Sequence, residues 1–272
     1  MKNTSKVPLL IDDKTWYSLS IFYARQNWVK LLLKIERFFI ERKNYSYTVF
    51  CSEGRGEHIE VFYSNVQGNL QNKIIRYFQS FLQKNPSTQI TVFPYGKALW
   101  CNYPNNTVFW KYCNNIAFSE ESVIFNYRSV QAILYLIEND TSHDAFFSAA
   151  LFLITKSLTC IEPTSRATVV STALSLVSNN FKIFTHVDFI KKLINEKIDS
   201  MEISRLINFY LNEKENPPII SEWLNCVISL IDHSDFIYVV YGICKILGLS
   251  GLYQIMLLEL INQYFNPISH NE

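Results

Sequence analysis

Trp16 to Tyr23 reads WYSLSIFY. Aromatic or aliphatic side chains alternate there with small polar ones, the period-2 pattern of a half-buried strand. Downstream, Asn27 to Arg42 sets Trp28, Leu31, Leu32, Ile35, Phe38 and Phe39 at helical spacing, with Lys and Glu on the opposite face. Tyr45 to Cys51 and His58 to Tyr63 are strand-like runs. Between them lies Ser52-Glu53-Gly54-Arg55-Gly56-Glu57, whose glycines permit a tight reversal. Asn69 to Gln83 is a second amphipathic helix, ended by Asn85-Pro86-Ser87. Thr88 to Tyr95 alternates again. The order βαββαβ predicts a ferredoxin-like plan, with two helices on one face of an antiparallel sheet.

From Lys97 to Glu121 the pattern is irregular, with Trp100, Tyr103, Trp110 and Tyr112 among Asn-rich turns, and it fits either a long loop or an extra hairpin. Then the period changes. Val123–Glu138, Ser142–Leu158, Ser165–Ser178, His186–Lys197, Ile203–Asn212, Ser221–Leu230, Phe236–Leu247 and Leu252–Phe265 all suit helices. Pro163, Pro217-Pro218 and Gly248-Leu249-Ser250-Gly251 punctuate them. The expected class is α+β: an N-terminal ferredoxin-like antiparallel sheet packed against a C-terminal multi-helix region. Residues 1–120 form its α/β part and 121–272 its helical part, in one domain spanning 1–272.

Composition bounds the function. The 272 residues are 49% hydrophobic and carry 25 basic against 24 acidic side chains. A chain of this length buries about three quarters of the surface its unfolded form exposes, which excludes disorder. Near-neutral charge argues against a nucleic-acid coat, which needs a surplus of Lys and Arg on phosphates. The longest apolar run, Ala145 to Ile154, is about half the ~20 residues of a membrane span, and the N-terminus lacks an apolar targeting core. The expected location is the cytoplasm. The six cysteines form no C-x-x-C pair and stand near no histidine at ligand spacing, so free or structural thiols are expected and no metal. Phosphate loops, dinucleotide fingerprints and nucleophile elbows are absent, and no cofactor is expected. Asp140 or Ser142 reads as the cap of the helix that follows.

Three segments, collinear over most of the chain, resemble the C-terminal, glutamate-eliminating region of lantibiotic dehydratases, which also occurs as separate proteins in thiopeptide gene clusters. The first is Trp16-Tyr17 and then Thr48-Val49-Phe50-Cys51-Ser52-Glu53-Gly54-Arg55-Gly56-Glu57-His58-Ile59-Glu60-Val61-Phe62, which the family writes roughly as FFIRYxDPxxHLRLR with its histidine at His58. The second is Tyr127-Arg128-Ser129-Val130-Gln131-Ala132 and the helix after it, ending in Asn139-Asp140-Thr141-Ser142; the family has a YGG turn, a helix and a DS cap. The third is Ile228-Ser229-Leu230 followed by Cys244-Lys245-Ile246-Leu247-Gly248, where the family has a His-containing helix and NRLLG.

The departures are informative. Elimination enzymes resemble one another in arginines that hold the glutamyl carboxylates, a task for charge-assisted, bidentate bonds. Here the family's arginines fall on Cys51, Glu60, Phe62, Asn126 and Lys245, and its histidines before NRLLG on Val240 and Gly242. The resemblance then implies the pyridine synthase branch of the fold. That family binds the leader of a precursor peptide and joins two dehydroalanines by a formal aza-[4+2] cycloaddition, with loss of water and leader. It implies a leader-bearing precursor peptide and other enzymes of the cluster as partners, without nucleic acid or membrane. By position it implies His58, Tyr127 and Arg128 as catalytic residues, and Tyr241, Lys245 and Glu60 as substrate-binding ones. A glutamate-eliminating subunit and a non-catalytic leader-binding scaffold are the alternatives.

Overall fold

The computed structural model describes residues 16–41, 46–53, 55–64, 70–88, 103–113, 118–138, 140, 142–180, 200–233, 235–249 and 251–267. The chain is α+β and divides into two compact units, Met1–His143 with Lys245–Gly248, and Asp144–Cys244 with Leu249–Glu272.

The first unit holds β1 (Trp16–Phe22), α1 (Trp28–Ile40), β2 (Tyr47–Ser52), β3 (His58–Ser64), α2 (Leu70–Lys84), β4 (Thr107–Cys113) and α3 (Glu120–Ile137). The strands form one antiparallel sheet in the order β2-β3-β1-β4. The expected strand at Thr88–Tyr95 falls, Thr88 apart, outside the described residues. The place beside β1 belongs to β4, inside the stretch expected to be irregular.

Alternation divides the sheet into two faces. One carries Leu19, Ile21, Val49, Ile59 and Val61, all fully buried. On this face Phe39 of α1 stacks on Tyr47 at 4.3 Å and meets Tyr63 at 6.1 Å. Trp28, Leu31, Leu32, Ile35, Phe38 and Phe39, the apolar stripe of α1, are all buried. Each such side chain contributes about 1.5–3 kcal/mol relative to exposure, so the stripe decides which way α1 lies.

The outer edge of β2 is closed. The Asn126 side chain on α3 accepts from the Val49 N–H at 3.0 Å and donates to the Val49 carbonyl at 3.2 Å. One amide thus replaces a strand on an edge that would otherwise invite pairing. Two residues along that edge, Cys51 meets Gly248. A Cβ at Gly248 would stand 3.1 Å from the Cys51 carbonyl carbon and oxygen, and φ there is +67°.

The second unit is helical: α4 (beginning at His143 and ending at Ser157), α5 (Arg166–Asn180), α6 (Ser200–Asn212), α7 (Pro218–His233), α8 (Phe236–Leu247) and α9 (Gly251–Phe265). The expected helix at His186–Lys197 lies outside the described residues. Proline opens α7 rather than preceding it: its fixed φ suits a first helical position, and the Pro217 carbonyl accepts from Ile220 and Ser221. Asp140 accepts from the Ser142 N–H at 2.8 Å, just ahead of α4. Lys156 is 1% exposed, and its ammonium donates to the carbonyls of Tyr210 and Glu213 at 2.9 and 2.8 Å. It caps the end of α6, where carbonyls lack helical partners. Cys51, Cys160, Cys226 and Cys244 are free thiols. No described helix is long and apolar enough to cross a membrane.

Candidate functional site

The second face of the sheet carries the chemistry. Its register rows read Thr107, Phe22, His58, Ser52; then Phe109, Ser20, Glu60, Phe50; then Lys111, Ser18, Phe62, Thr48. Two aromatic clusters stand on it. Phe22 stacks on His58 at 4.6 Å and meets Tyr103 and Phe109 at 4.9 and 5.6 Å. Phe118 meets Trp16, Phe62 and Phe50 at 4.8, 5.4 and 6.3 Å. Between the clusters lie the small hydroxyls of Ser18 and Ser20, with Glu60 beside them. Trp16, Ser18, Phe22, Phe50 and Phe62 are buried, whereas Tyr103 and Phe109 are exposed, so the rings this face offers a flat ligand are Tyr103 and Phe109.

The structure brings three of the expected site residues into relation with this face or its margin. His58 and Glu60 share it, two residues apart on β3. The His58 ring is fixed twice, by its stack on Phe22 and by Nδ1 against the Gly56 carbonyl at 2.8 Å. Lys245, in the last turn of α8, places its ammonium 4.1 Å from the centroid of Phe50, the register partner of Glu60. A Schellman turn sets that end of the helix: Leu249 donates to the Cys244 carbonyl at 2.8 Å and Gly248 to the Lys245 carbonyl at 3.3 Å. Glycine is required there because φ is positive and Cys51 is close.

Tyr127 and Arg128 belong to a polar network between α1 and α3. Gln131 donates to the Tyr127 hydroxyl at 2.9 Å and to Glu36 at 3.1 Å, while Arg128 donates to Gln131 at 2.9 Å and lies over the Tyr127 ring. Tyr127 in turn meets Tyr47 edge-on at 6.0 Å. Burial, with Glu36 and Tyr127 nearby, pushes the Tyr47 phenol up, so it stays protonated. Tyr241 lies on α8 in the second unit.

Sequence reasoning missed a charged cluster at the hairpin end. Arg25 is 6% exposed, lies over the Trp28 ring and pairs with Glu53, while its backbone N–H donates to Glu57 at 2.8 Å. Its charge is therefore answered within the protein, and it is not presented bare to a ligand. His143 lies 3.7 Å from the same Glu53 oxygen. The available signal was a pair of acids on one turn, Glu53 and Glu57, and an arginine shortly after a strand. The missed Asn126 and Gly248 act on the β2 edge. Buried thiols supply no nucleophile: desolvation pushes Cys51 and Cys244 well up, Arg25 only partly opposing it at Cys51. Among the described residues no group of His, Cys, Asp and Glu is arranged to hold a metal ion.

No protein-family model matches the sequence, and no curated protein matches it. Among solved structures, the pyridine synthase TbtD from thiomuracin biosynthesis matches with a TM-score of 0.66, over 93% of this chain and 98% of its own, at 13% sequence identity. The chain therefore has a thiopeptide pyridine synthase-like fold.

Proposed function

We propose that this chain is a cytoplasmic pyridine synthase of thiopeptide biosynthesis, with residues 1–272 acting as one functional domain. Its substrate is a leader-bearing precursor peptide with two dehydroalanines, and it works in sequence with the other enzymes of the cluster. The carrying observation is the end-to-end match to a pyridine synthase, 93% of one chain on 98% of the other. The electrostatics of the first unit support the same reading. An enzyme that grips a glutamyl ester needs bidentate guanidinium groups, yet here the face carries lysines, Lys111 and Lys245, around a central Glu60, and Arg25 is paired with Glu53.

The chemistry asks chiefly for placement. Holding two alkenes in register converts an improbable encounter into an intramolecular one, an effect worth up to about 7–11 kcal/mol in well-oriented cases. Tyr103 and Phe109, the exposed rings of this face, offer flat surfaces for azole-rich substrate, and Ser20 and Glu60 accept its amide N–H groups. Lys245 polarises an amide carbonyl toward the iminol form, and His58 moves a proton during aromatisation. Tyr127 and Arg128 act on the peptide next to them in the first unit.

Mass spectrometry of a bis-dehydroalanine precursor incubated with the protein tests the reading. Release of the leader with loss of one water is the expected result. Loss of glutamate from a glutamylated peptide would replace ring closure with elimination, and unchanged mass with retained binding would leave a scaffold.

A further inference from the structure

We infer that the outer surface of α1 and α2 docks an acidic amphipathic helix of a partner protein, on the side of the sheet away from the candidate face. Phe39 of α1 stacks on Tyr47, and Phe38 joins α1 to α2 by meeting Tyr77 and Phe78 at 4.7 and 5.7 Å. The two helices therefore form one layer behind the face that holds His58 and Glu60. A protein seated on that layer leaves the substrate side open, so both can be occupied together.

Charge singles this layer out. The whole chain carries 25 basic and 24 acidic side chains, yet α1 and α2 carry Lys30, Lys34, Arg37, Lys73, Arg76 and Lys84 against one acid, Glu36. That acid is engaged, accepting from Gln131 at 3.1 Å, and Glu41 lies just past the end of α1. Five of the cations are exposed. The sixth, Lys34, lies at the seam of the two helices, its ammonium 4.4 Å from the Tyr77 ring and 6.0 Å from that of Phe81. Among the described residues none of the six forms an ion pair. Positive charge left unanswered on one face draws in an anionic partner and fixes its orientation.

The side chains between the charges decide which anion fits. On α1, Lys30, Leu33, Arg37 and Ile40 fall at i, i+3, i+7 and i+10, a single stripe. All four are exposed, Leu33 at 48% and Ile40 at 50%. The two apolar groups stand two turns apart, about 10 Å. Nucleic-acid phosphates ask for cations and make no use of Leu or Ile. A bilayer would take a broad apolar helix face, and that face of α1 is spent on the core. A helix with apolar residues at i and i+7 and Asp or Glu beside them meets both kinds of side chain at once.

The probe is a fluorescein-labelled synthetic helix of about 20 residues, long enough to fold in water, with Leu along one face and Glu on its flanks. Its binding to the full chain is read by fluorescence anisotropy. A Kd of about 1–10 μM is expected, weakened about tenfold or more when salt rises from about 50 to 300 mM. The same residues in scrambled order keep the charge and lose the apolar face, and should bind about tenfold more weakly. Lys30→Glu with Arg37→Glu, and separately Lys73→Glu with Arg76→Glu, should each weaken binding about tenfold, and Leu33→Ser with Ile40→Ser about fivefold. Precursor turnover should stay within about twofold in every variant, because none of these residues faces the substrate side. Failure of the parent to close the ring would therefore strike the pyridine synthase reading and leave this surface standing. No binding of the designed helix, equal binding of the scrambled one, or parent-like affinity in both charge reversals would overturn the proposal. Tighter binding of a DNA duplex, or of vesicles of phosphatidylglycerol and phosphatidylcholine, than of the designed helix would overturn it as well.

Discussion

Gly248→Ala tests the junction between the end of α8 and the edge of β2. The substitution makes two demands at once. Alanine at φ +67° enters the left-handed region, which costs about 1–2 kcal/mol for a residue bearing a Cβ. The new Cβ also stands 3.1 Å from the carbonyl carbon and oxygen of Cys51 and 3.2 Å from its Cβ. Two of those three atoms are backbone of a strand in register with β3, so relief requires moving β2 rather than rotating a side chain. Overpacking of this kind costs about 1–3 kcal/mol. Together the loss is about 2–5 kcal/mol, a large share of the roughly 5–15 kcal/mol that holds a typical fold. Thermal and urea unfolding followed by circular dichroism would read it, with a midpoint lowered by about 5–12 °C. Gly248→Asn separates the demands, because asparagine tolerates positive φ but brings the same Cβ. It should recover part of the loss and leave the overlap. Turnover should fall in both variants, because Lys245 over Phe50 depends on the same turn. A loss below about 0.5 kcal/mol in Gly248→Ala would refute the close approach on which the reasoning rests.

Three further outcomes follow from buried groups and the helix network. Cys51 and Cys244 hold their protons in the fold, whereas unfolded thiols release them near pH 8.5. The unfolded state then binds fewer protons, so their contribution is complete below that pH and is lost as pH rises. Between pH 7.5 and 9.5 the two thiols should cost about 3 kcal/mol in all, and a Cys51→Ala, Cys244→Ala variant should show a flatter urea-unfolding profile over that range. Lys156→Met keeps the packing but removes both carbonyl contacts at the end of α6, and should lower stability by about 1–3 kcal/mol in urea unfolding. Arg128→Ala should reduce turnover of the precursor tenfold or more, while circular dichroism and melting stay within about 0.5 kcal/mol of the parent, since its side chain is only partly buried.

Patterns that a single element can display were legible in the sequence. The α1 stripe is buried residue for residue, and α8 runs from Phe236 to Leu247 as its periodicity predicts. Position along β3 placed His58 and Glu60 on one face by the simple rule of two. β4 was hidden because Val108, Phe109 and Trp110 are consecutive and apolar, which erases the contrast between faces. The helix after Pro217 was read short because proline there was taken as a stop. The Arg25, Glu53 and His143 cluster was illegible for a different reason. Its members come from the end of one strand, the turn after another and the start of a helix, and only tertiary folding brings them together. Asn126 looked like a lost arginine, whereas its amide is spent on the backbone of Val49.

That amide limits what position 126 tolerates. The Asn126 side chain belongs to the scaffold, spent on both outward polar groups of Val49. A guanidinium there has donors but no acceptor, so it would leave the Val49 N–H without its partner and reopen the strand to intermolecular association. An anion-binding group cannot be gained at this position by one mutation without weakening the architecture first.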